Sequence, residues 1–351
     1  MNIDLVLKDI ARHGVMAPSA DNKLEYFFEF IGSSATICIR PGSDFSPTLP
    51  RHKRVLSLLA FGAIVENMLL RATELGFVGE SSWLPCDDLS IIARVCFSKN
   101  IEISPDPLAT AIPFRQTNRQ IFFRGAPTSM QKDLLAAEVQ KHAGTRLLWL
   151  EGDKRWRALK LIWLAESERF CSIRLHEELF STIRFDLGWK DTCDQGLPPA
   201  ALEVESVMRP MFKAIRHWPL MRCLSAVGVH RLLGLRAGFL PAWQAPALGI
   251  VLTSLPIEEG AVAAGRSFER LWLRATIDRL VLQPMAASAV LSLQEDTDLY
   301  SSKKCRNSLR SEWADLFPGE WPAMVFRMGG MLKTDLPSVK TGRRLLSSYE
   351  R

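Results

Sequence analysis

The chain has 351 residues, 47% hydrophobic and 23% charged, which is ordinary globular composition with room for two domains or one large duplicated unit. Its net charge of +6 is spread among 44 Lys and Arg and 38 Asp and Glu; no basic-aromatic interleaving or nucleic-acid motif accompanies it, so no nucleic-acid partner is expected. No secretory pattern opens the chain, and the apolar run at residues 280–293 is too short to span a bilayer. The seven cysteines form no C-x-x-C, so the expectation is a cytoplasmic protein with no membrane partner, no disulfide framework and no metal site.

In chain order, residues 3–16 read as a helix, broken by Ala17-Pro18-Ser19. Residues 26–31 and 35–39 read as strands joined by Gly32-Ser33-Ser34. Residues 60–78 then form a wide apolar helical face through Phe61, Ile64, Val65, Met68, Leu69 and Ala72. A strand at 91–97 precedes the connector Ser104-Pro105-Asp106-Pro107. Next come a helix opening near Ser129, a strand at 146–150 and a helical stretch over 154–183. Residues 184–242, rich in Gly, Pro, Trp and Arg, read as a partly helical insertion. A buried strand at 246–255, a helix at 263–281, a strand at 324–328 and a basic tail at 333–351 complete the chain.

The helix at 263–281 repeats the one at 60–78. At an offset of 203 residues, eight of nineteen positions are identical, including Gly62/Gly265, Glu66/Glu269 and the run Leu70-Arg71-Ala72-Thr73 with its counterpart. Either two amphipathic helices converged or the chain is duplicated; shared Leu and Ala come easily, but a shared G-x-x-x-E-x-x-x-L-R-A-T favours duplication. Glu66 and Arg71, like Glu269 and Arg274, stand five apart, so they do not face each other and are expected to pair with other elements.

Two short signatures carry chemistry. In Ala17-Pro18-Ser19-Ala20-Asp21-Asn22, Pro18 fixes a turn. Ser19 and Asn22 then offer donors and acceptors, to the turn's own backbone or to a planar heterocycle. In Arg115-x-Thr117-x-Arg119, an extended segment would place two guanidinium groups around a hydroxyl, which suits a phosphate dianion or caps the next helix.

Together with the repeat, these motifs resemble the nitroreductase family of FMN-dependent flavoproteins, which carries R-x-[ST]-x-R for the FMN phosphate and A-P-S-x-x-N beside the isoalloxazine ring. Phe122 or Phe123 follows the arginine motif as in the family, while Lys23-Leu24-Glu25-Tyr26 replaces the family's usual residues after Asn22. Residues 322–329 resemble its P-x-x-x-x-R-x-G strand, which brings in Arg327; Arg343 matches a basic position near the phosphate. The segment after the second repeat helix implies ring-edge backbone donors around Gln283, Pro284 and Met285.

Each half holds one of the two signatures. The resemblance is therefore to the double-length, Acg-type branch, a fused pseudo-dimer with one flavin site and a lid. It implies an α+β fold of two α/β halves, 1–104 and 105–351, with antiparallel sheets flanked by helices and a lid at 184–242. It further implies an FMN-dependent oxidoreductase with NADH or NADPH as possible donor and a small-molecule or peptide-derived substrate. The alternatives are a flavin-sequestering protein and an accessory subunit of a biosynthetic or E1-like modification system. No catalytic side chain is assigned, because the cofactor carries the redox chemistry.

Overall fold

A computed structural model describes residues 2–350 apart from 44, 47, 85–87, 89, 122, 123 and 331–338. Phe122, Phe123 and the start of the basic tail therefore lie outside the described residues. Helix α1 (Ile3–Val15) is capped by the Asn2 side chain, which accepts from Asp4 N at 3.0 Å. It leads through the turn at residues 16–25 into the hairpin β1 (Tyr26–Ile31) and β2 (Thr36–Pro41). The long helix α2 (Arg51–Glu74) crosses to β3 (Phe77–Trp83), and β4 (Ala93–Lys99) returns between β2 and β3. These four strands pair antiparallel, in the order β1-β2-β4-β3.

After a 3-10 segment at Pro107–Phe114, the second half repeats this plan. Helix α3 (Ser129–Gln140), held by a Thr128/Gln131 capping box, precedes β5 (Thr145–Trp149). Helices α4 (Gly152–Cys171), α5 (Ile173–Ser181), α6 (Arg209–Ala214), α7 (Trp218–Ala226), α8 (Val229–Gly234) and α9 (Leu240–Gln244) intervene before β6 (Ala247–Thr253). Then follow α10 (Ile257–Ile277), β7 (Leu280–Pro284), α11 (Ala287–Ser292), α12 (Lys303–Leu316) and β8 (Trp321–Gly330). The second sheet has the order β5-β6-β8-β7, the same as the first.

Helices α2 and α10 pack together in the middle, and their aligned glycines meet where they cross. A Cβ on Gly62 would lie 2.5 Å from Val262 O, and one on Gly265 would run into Leu59 O. Val262 stands at the position equivalent to Leu59, so the contact is reciprocal. One apolar core runs through both halves, from Leu7, Ile37, Phe61 and Met68 to Leu271, Trp272 and Phe326. The second sheet is also covered on its other face. Leu248, Ile250 and Leu252 of β6 pack with Leu159, Leu309 and Trp313, while Ala247 and Val251 face the shared core. That double burial explains the unbroken apolar run of β6.

The structure corrects several boundaries. The repeats are not uninterrupted helices to residues 78 and 281. The backbone turns left-handed at the aligned positions Gly76 (φ +76°) and Arg279 (φ +56°), and residues 77–78 and 280–281 begin strands β3 and β7. The helical stretch over 154–183 breaks at Ser172, which is extended and separates α4 from α5. Glu66 reaches His142, Arg266 and Arg270, whereas Arg71 reaches Asp9 and the nearby Glu74.

Candidate functional site

The 16–22 turn, the 115–119 segment, the insertion and the C-terminal segment converge on one place. Arg115 ends the 3-10 segment and turns inward, so it is only 5% exposed. Its Nη2 donates to Met16 O at 2.9 Å, its plane lies 4.5 Å over the Trp272 ring, and its Nε stands 3.3 Å from Glu269 Oε1. Arg343 donates to Ala17 O at 3.3 Å and Gly342 O at 2.9 Å, and Lys340 Nζ reaches Pro113 O. Arg115 and Arg343 interact electrostatically, as do Arg115 and Lys340.

These cations are under-compensated. Burial lowers the pKa of Arg115, of Lys340 and of Arg343, the last to about 10. Among the described residues, no carboxylate forms an ion pair with Lys340, Arg343 or Arg119, and the one beside Arg115 is itself anomalous. Glu269 is fully buried, and burial pushes its carboxyl up to about 7 despite Arg115. Arg115, then the Asn67 amide and Arg343, oppose this burial without offsetting it. Arg115 is buried, Arg343 half-buried and Lys340 exposed, so the cluster runs from the interior to the surface; such a cluster, short of negative charge, is chemically a place for an anion.

The two arginines of the R-x-T-x-R segment go different ways, so they do not close around a single hydroxyl. Arg119 points to the insertion, where Nη1 donates to Ala201 O at 3.4 Å; burial lowers its pKa, opposed by Asp21. The reason is local. Arg115 belongs to the end of the 3-10 segment, and extended backbone begins only there. Thr117 is half-buried between them, and the following Asn118 N donates to Leu282 O at 3.0 Å, tying the segment to β7.

Asn22 is a clasp. Its backbone is left-handed (φ +55°), and its amide nitrogen reaches Asp194 O, Gly196 O and Gly342 O at 3.1, 3.4 and 3.3 Å. Gly196 N returns a bond to Asn22 O at 2.9 Å, and Gly342 N donates to Cys193 O at 2.8 Å. The insertion and the tail are thus sewn together over the turn that Pro18 begins. Beneath them Ser19, Asn22, Tyr26, Arg343 and Tyr349 help line a cavity of about 10 Å³, room for one water at most.

The strand residues play another part. Arg327 is fully buried, and burial lowers its pKa to about 9. It donates to Gln283 Oε1 at 2.6 Å, Ile121 O at 2.9 Å, Pro241 O at 3.3 Å and Gln120 O. Its guanidinium therefore binds β7, the 115–121 segment and the insertion to one another. The Met285 N–H donates to Val325 O at 2.7 Å and Pro284 has no N–H, so neither presents a free backbone donor here. Glu269 and Lys340 were visible in the sequence, one inside the repeat and the other three residues before Arg343. Their convergence on Arg115 is long-range and has no local signal.

A larger open cleft of about 400 Å³ lies elsewhere, lined by Arg51, Ser292, Leu293, Glu295, Asp296 and Arg310. Its charges neutralise one another through Arg51–Glu295 and Arg310–Asp296 pairs at 2.6 and 3.4 Å, and it contains none of the motif residues.

No family model matches the chain, and no curated protein matches it. Among solved structures, the chain is similar to a nitroreductase with bound FMN from Bacteroides fragilis. That match has 11% identity and a TM-score of 0.36, covering 68% of this chain and 95% of the other. It is also similar to an FMN-dependent nitroreductase from Mycobacterium smegmatis in complex with NADPH. There the identity is 17% and the TM-score 0.37, covering 69% and 95%. A nitroreductase with bound FMN from Desulfitobacterium hafniense gives 14% identity and a TM-score of 0.34, covering 67% and 94%.

Proposed function

We propose that the chain is an FMN-binding oxidoreductase of nitroreductase type, built as a fused pseudo-dimer of the double-length, Acg-type branch with one flavin site. The halves would be 1–104 and 105–351, and 184–242 the lid. The observation that carries this reading is the under-compensated cluster of buried Arg115, half-buried Arg343 and exposed Lys340 against the Met16–Ser19 turn. It fits a phosphate, and among the described residues the two signatures assemble one such cluster. Arg115, Lys340 and Arg343 would hold the phosphate, while Arg119 and Thr117 would line the path toward the insertion. Ser19 and Asn22 would meet the ring edge once the clasp opens, because the present cavity of about 10 Å³ does not admit it. Bound FMN would supply hydride or electron transfer, with NADH or NADPH as donor and a small or peptide-derived molecule as acceptor. The chain's own residues bind, orient and exclude water.

One FMN per chain is the expected stoichiometry after reconstitution. Arg115→Ala/Arg343→Ala is expected to weaken retention by roughly 10²- to 10⁴-fold, since each charge-assisted bond contributes about 1.5–3 kcal/mol. Arg119→Ala alone is expected to have a smaller effect. A ratio near two, or unchanged retention in the double variant, would refute the reading. The Asn22 clasp favours a second reading, a flavin-holding protein whose cover restricts turnover. Stopped-flow reduction by NADH or NADPH separates the two. A third reading, an accessory subunit beside a biosynthetic or E1-like enzyme, is tested by co-purification from the native host.

A further inference from the structure

From Ser206 to Gln244 the chain carries Arg209, Lys213, Arg216, Arg222, Arg231 and Arg236 and no Asp or Glu. The whole chain has an excess of +6, so this segment accounts for all of it and the remainder is balanced. Some of these cations have local uses. Arg209 lies 4.6 Å over Trp189, Arg216 lies 5.5 Å over Phe185, and Arg236 pairs with Glu205 at 2.5 Å. Lys213, Arg222 and Arg231 are exposed and, among the described residues, form no ion pair.

The same segment is apolar on two faces but covered on one. On α7, Met221 is buried, and the half-buried Trp218 and Leu224 pack with it against Phe170, Phe180, Ile183 and Ile215. The opposite side, at i, i+3 and i+7, presents Leu220 (42% exposed), Cys223 and Val227 (78%). Leu232 on α8 adds a 65% exposed side chain beside Arg231. Helix α7 and the run Val229–Gln244 are together apolar enough for a membrane span, but they are bent by 100° against each other. That is the shape of a tip, not of a crossing helix.

We propose that the α7–α8 hairpin docks this protein on an anionic lipid surface. An isologous contact with a second copy would set Arg216, Arg222 and Arg231 against themselves. A nucleic acid would use the cations and leave Leu220, Val227 and Leu232 in water. Exposed Leu and Val are poor anchors in a protein interface, where aromatic and Arg side chains dominate. A bilayer uses both sets, with cations at the headgroups and aliphatic side chains at the acyl boundary. The sequence expectation of no membrane partner rested on the lack of a spanning segment, which adsorption does not require. The inference is independent of the flavin reading, although the hairpin belongs to the insertion that covers the Asn22 turn.

Flotation of the full chain with vesicles tests it. Binding is expected to vesicles of equal parts phosphatidylcholine and phosphatidylglycerol, to weaken with added salt, and to be weak with phosphatidylcholine alone. Arg222→Glu/Arg231→Glu is expected to lower partitioning by roughly 10²- to 10³-fold. Val227→Asp/Leu232→Asp is expected to lower it as well, with the thermal midpoint of both variants unchanged because the positions are exposed. Failure to float with the mixed vesicles overturns the proposal, as does flotation indifferent to both variants. Binding to polyglutamate that depends on Val227 and Leu232, with no flotation, overturns it in favour of an acidic protein partner.

Discussion

Glu66 and Glu269 occupy equivalent places on the two central helices, yet the protein treats them in opposite ways. Burial drives Glu66 upward, but His142, Arg266 and Arg270 outweigh it and hold the carboxyl at about 2. Arg270 Nη1 is 2.9 Å away and Arg266 Nε 2.8 Å. Around Glu269 the equivalents of Arg266 and Arg270 are Ala63 and Asn67, and burial leaves the carboxyl at about 7. On one side of the α2–α10 crossing the chain has filled the polar space with its own arginines. On the other it gathers Arg115, Lys340 and Arg343 and leaves them short of negative charge. The comparison teaches that the asymmetry is in the counter-ions, not in the carboxylates, and that the under-compensated side is the one to which the insertion and the tail are clasped.

The crossing that relates the two sides should be the most sensitive point. Gly62→Val and Gly265→Val each drive a side chain into facing backbone, with the first new carbon of Gly62 already 2.5 Å from Val262 O. Each is expected to cost more than about 4 kcal/mol, measured by denaturant unfolding, and to similar extents. A large difference between them would break the twofold description. Next, Glu66→Gln removes a charge from a buried network. Arg270 keeps Asp106 and Glu138 at 2.7 and 2.8 Å, so the loss should be about 3 kcal/mol, the low end for a broken buried pair. Glu269→Gln should stay within about 1 kcal/mol at neutral pH, because burial holds the carboxyl it replaces at about 7 and little charge is removed there. Equal losses would mean that the two carboxylates are not differently compensated.

Much of this was legible in the sequence. The repeat exposed Gly62, Gly265, Glu66 and Glu269 as equivalents, and the apolar spacing gave the buried faces of α2 and α10. The strands β3 and β7 were hidden because the repeat continues through the helix ends, although Gly76 marks one of them. The break at Ser172 was not legible, since no Gly or Pro interrupts residues 154–183. In the site, Arg115, Arg343, Ser19 and Asn22 were singled out and do come together. The arrival of Lys340 and Glu269 depends on contacts between residues more than a hundred apart, whereas the divergence of Arg119 begins locally. A three-residue motif fixes side-chain alternation only while its backbone is extended, and Arg115 sits where a 3-10 turn ends.

The carboxyl pair also predicts opposite pH dependences. Glu269 has a folded pKa raised from 4.5 to about 7, so its contribution is fully present below pH 4.5 and is lost as pH rises through 7. Glu66 is depressed from 4.5 to about 2, so its contribution is present above 4.5 and lost as pH falls through 2. Buried His52, lowered from 6.5 to about 4, opposes the Glu269 trend over part of that window. The difference between wild type and Glu269→Gln isolates the single group. Wild-type stability should fall relative to the variant by about 1 kcal/mol per pH unit between pH 5 and 7. Parallel stability curves would show that Glu269 ionises as an ordinary carboxyl.

The smallest expected effect separates the clasp from the core. Asn22→Gly keeps the left-handed backbone, which Gly adopts readily, and deletes the amide that holds Asp194, Gly196 and Gly342. The three contacts are long and partly exposed, so the global loss should be about 1 kcal/mol. The local loss should be visible where the global one is not. The Gly196 and Gly342 amides, bonded to Asn22 O and Cys193 O, should exchange hydrogen faster than in the wild type. Amides of β6, buried between two cores, should be unchanged. Faster exchange confined to 192–196 and 340–342 would establish that the insertion opens as a unit over the cation cluster. Unchanged exchange there would mean that the cover is held by Arg119, Arg327 and the packing of the insertion, and that the turn at 19–22 only lies beneath it.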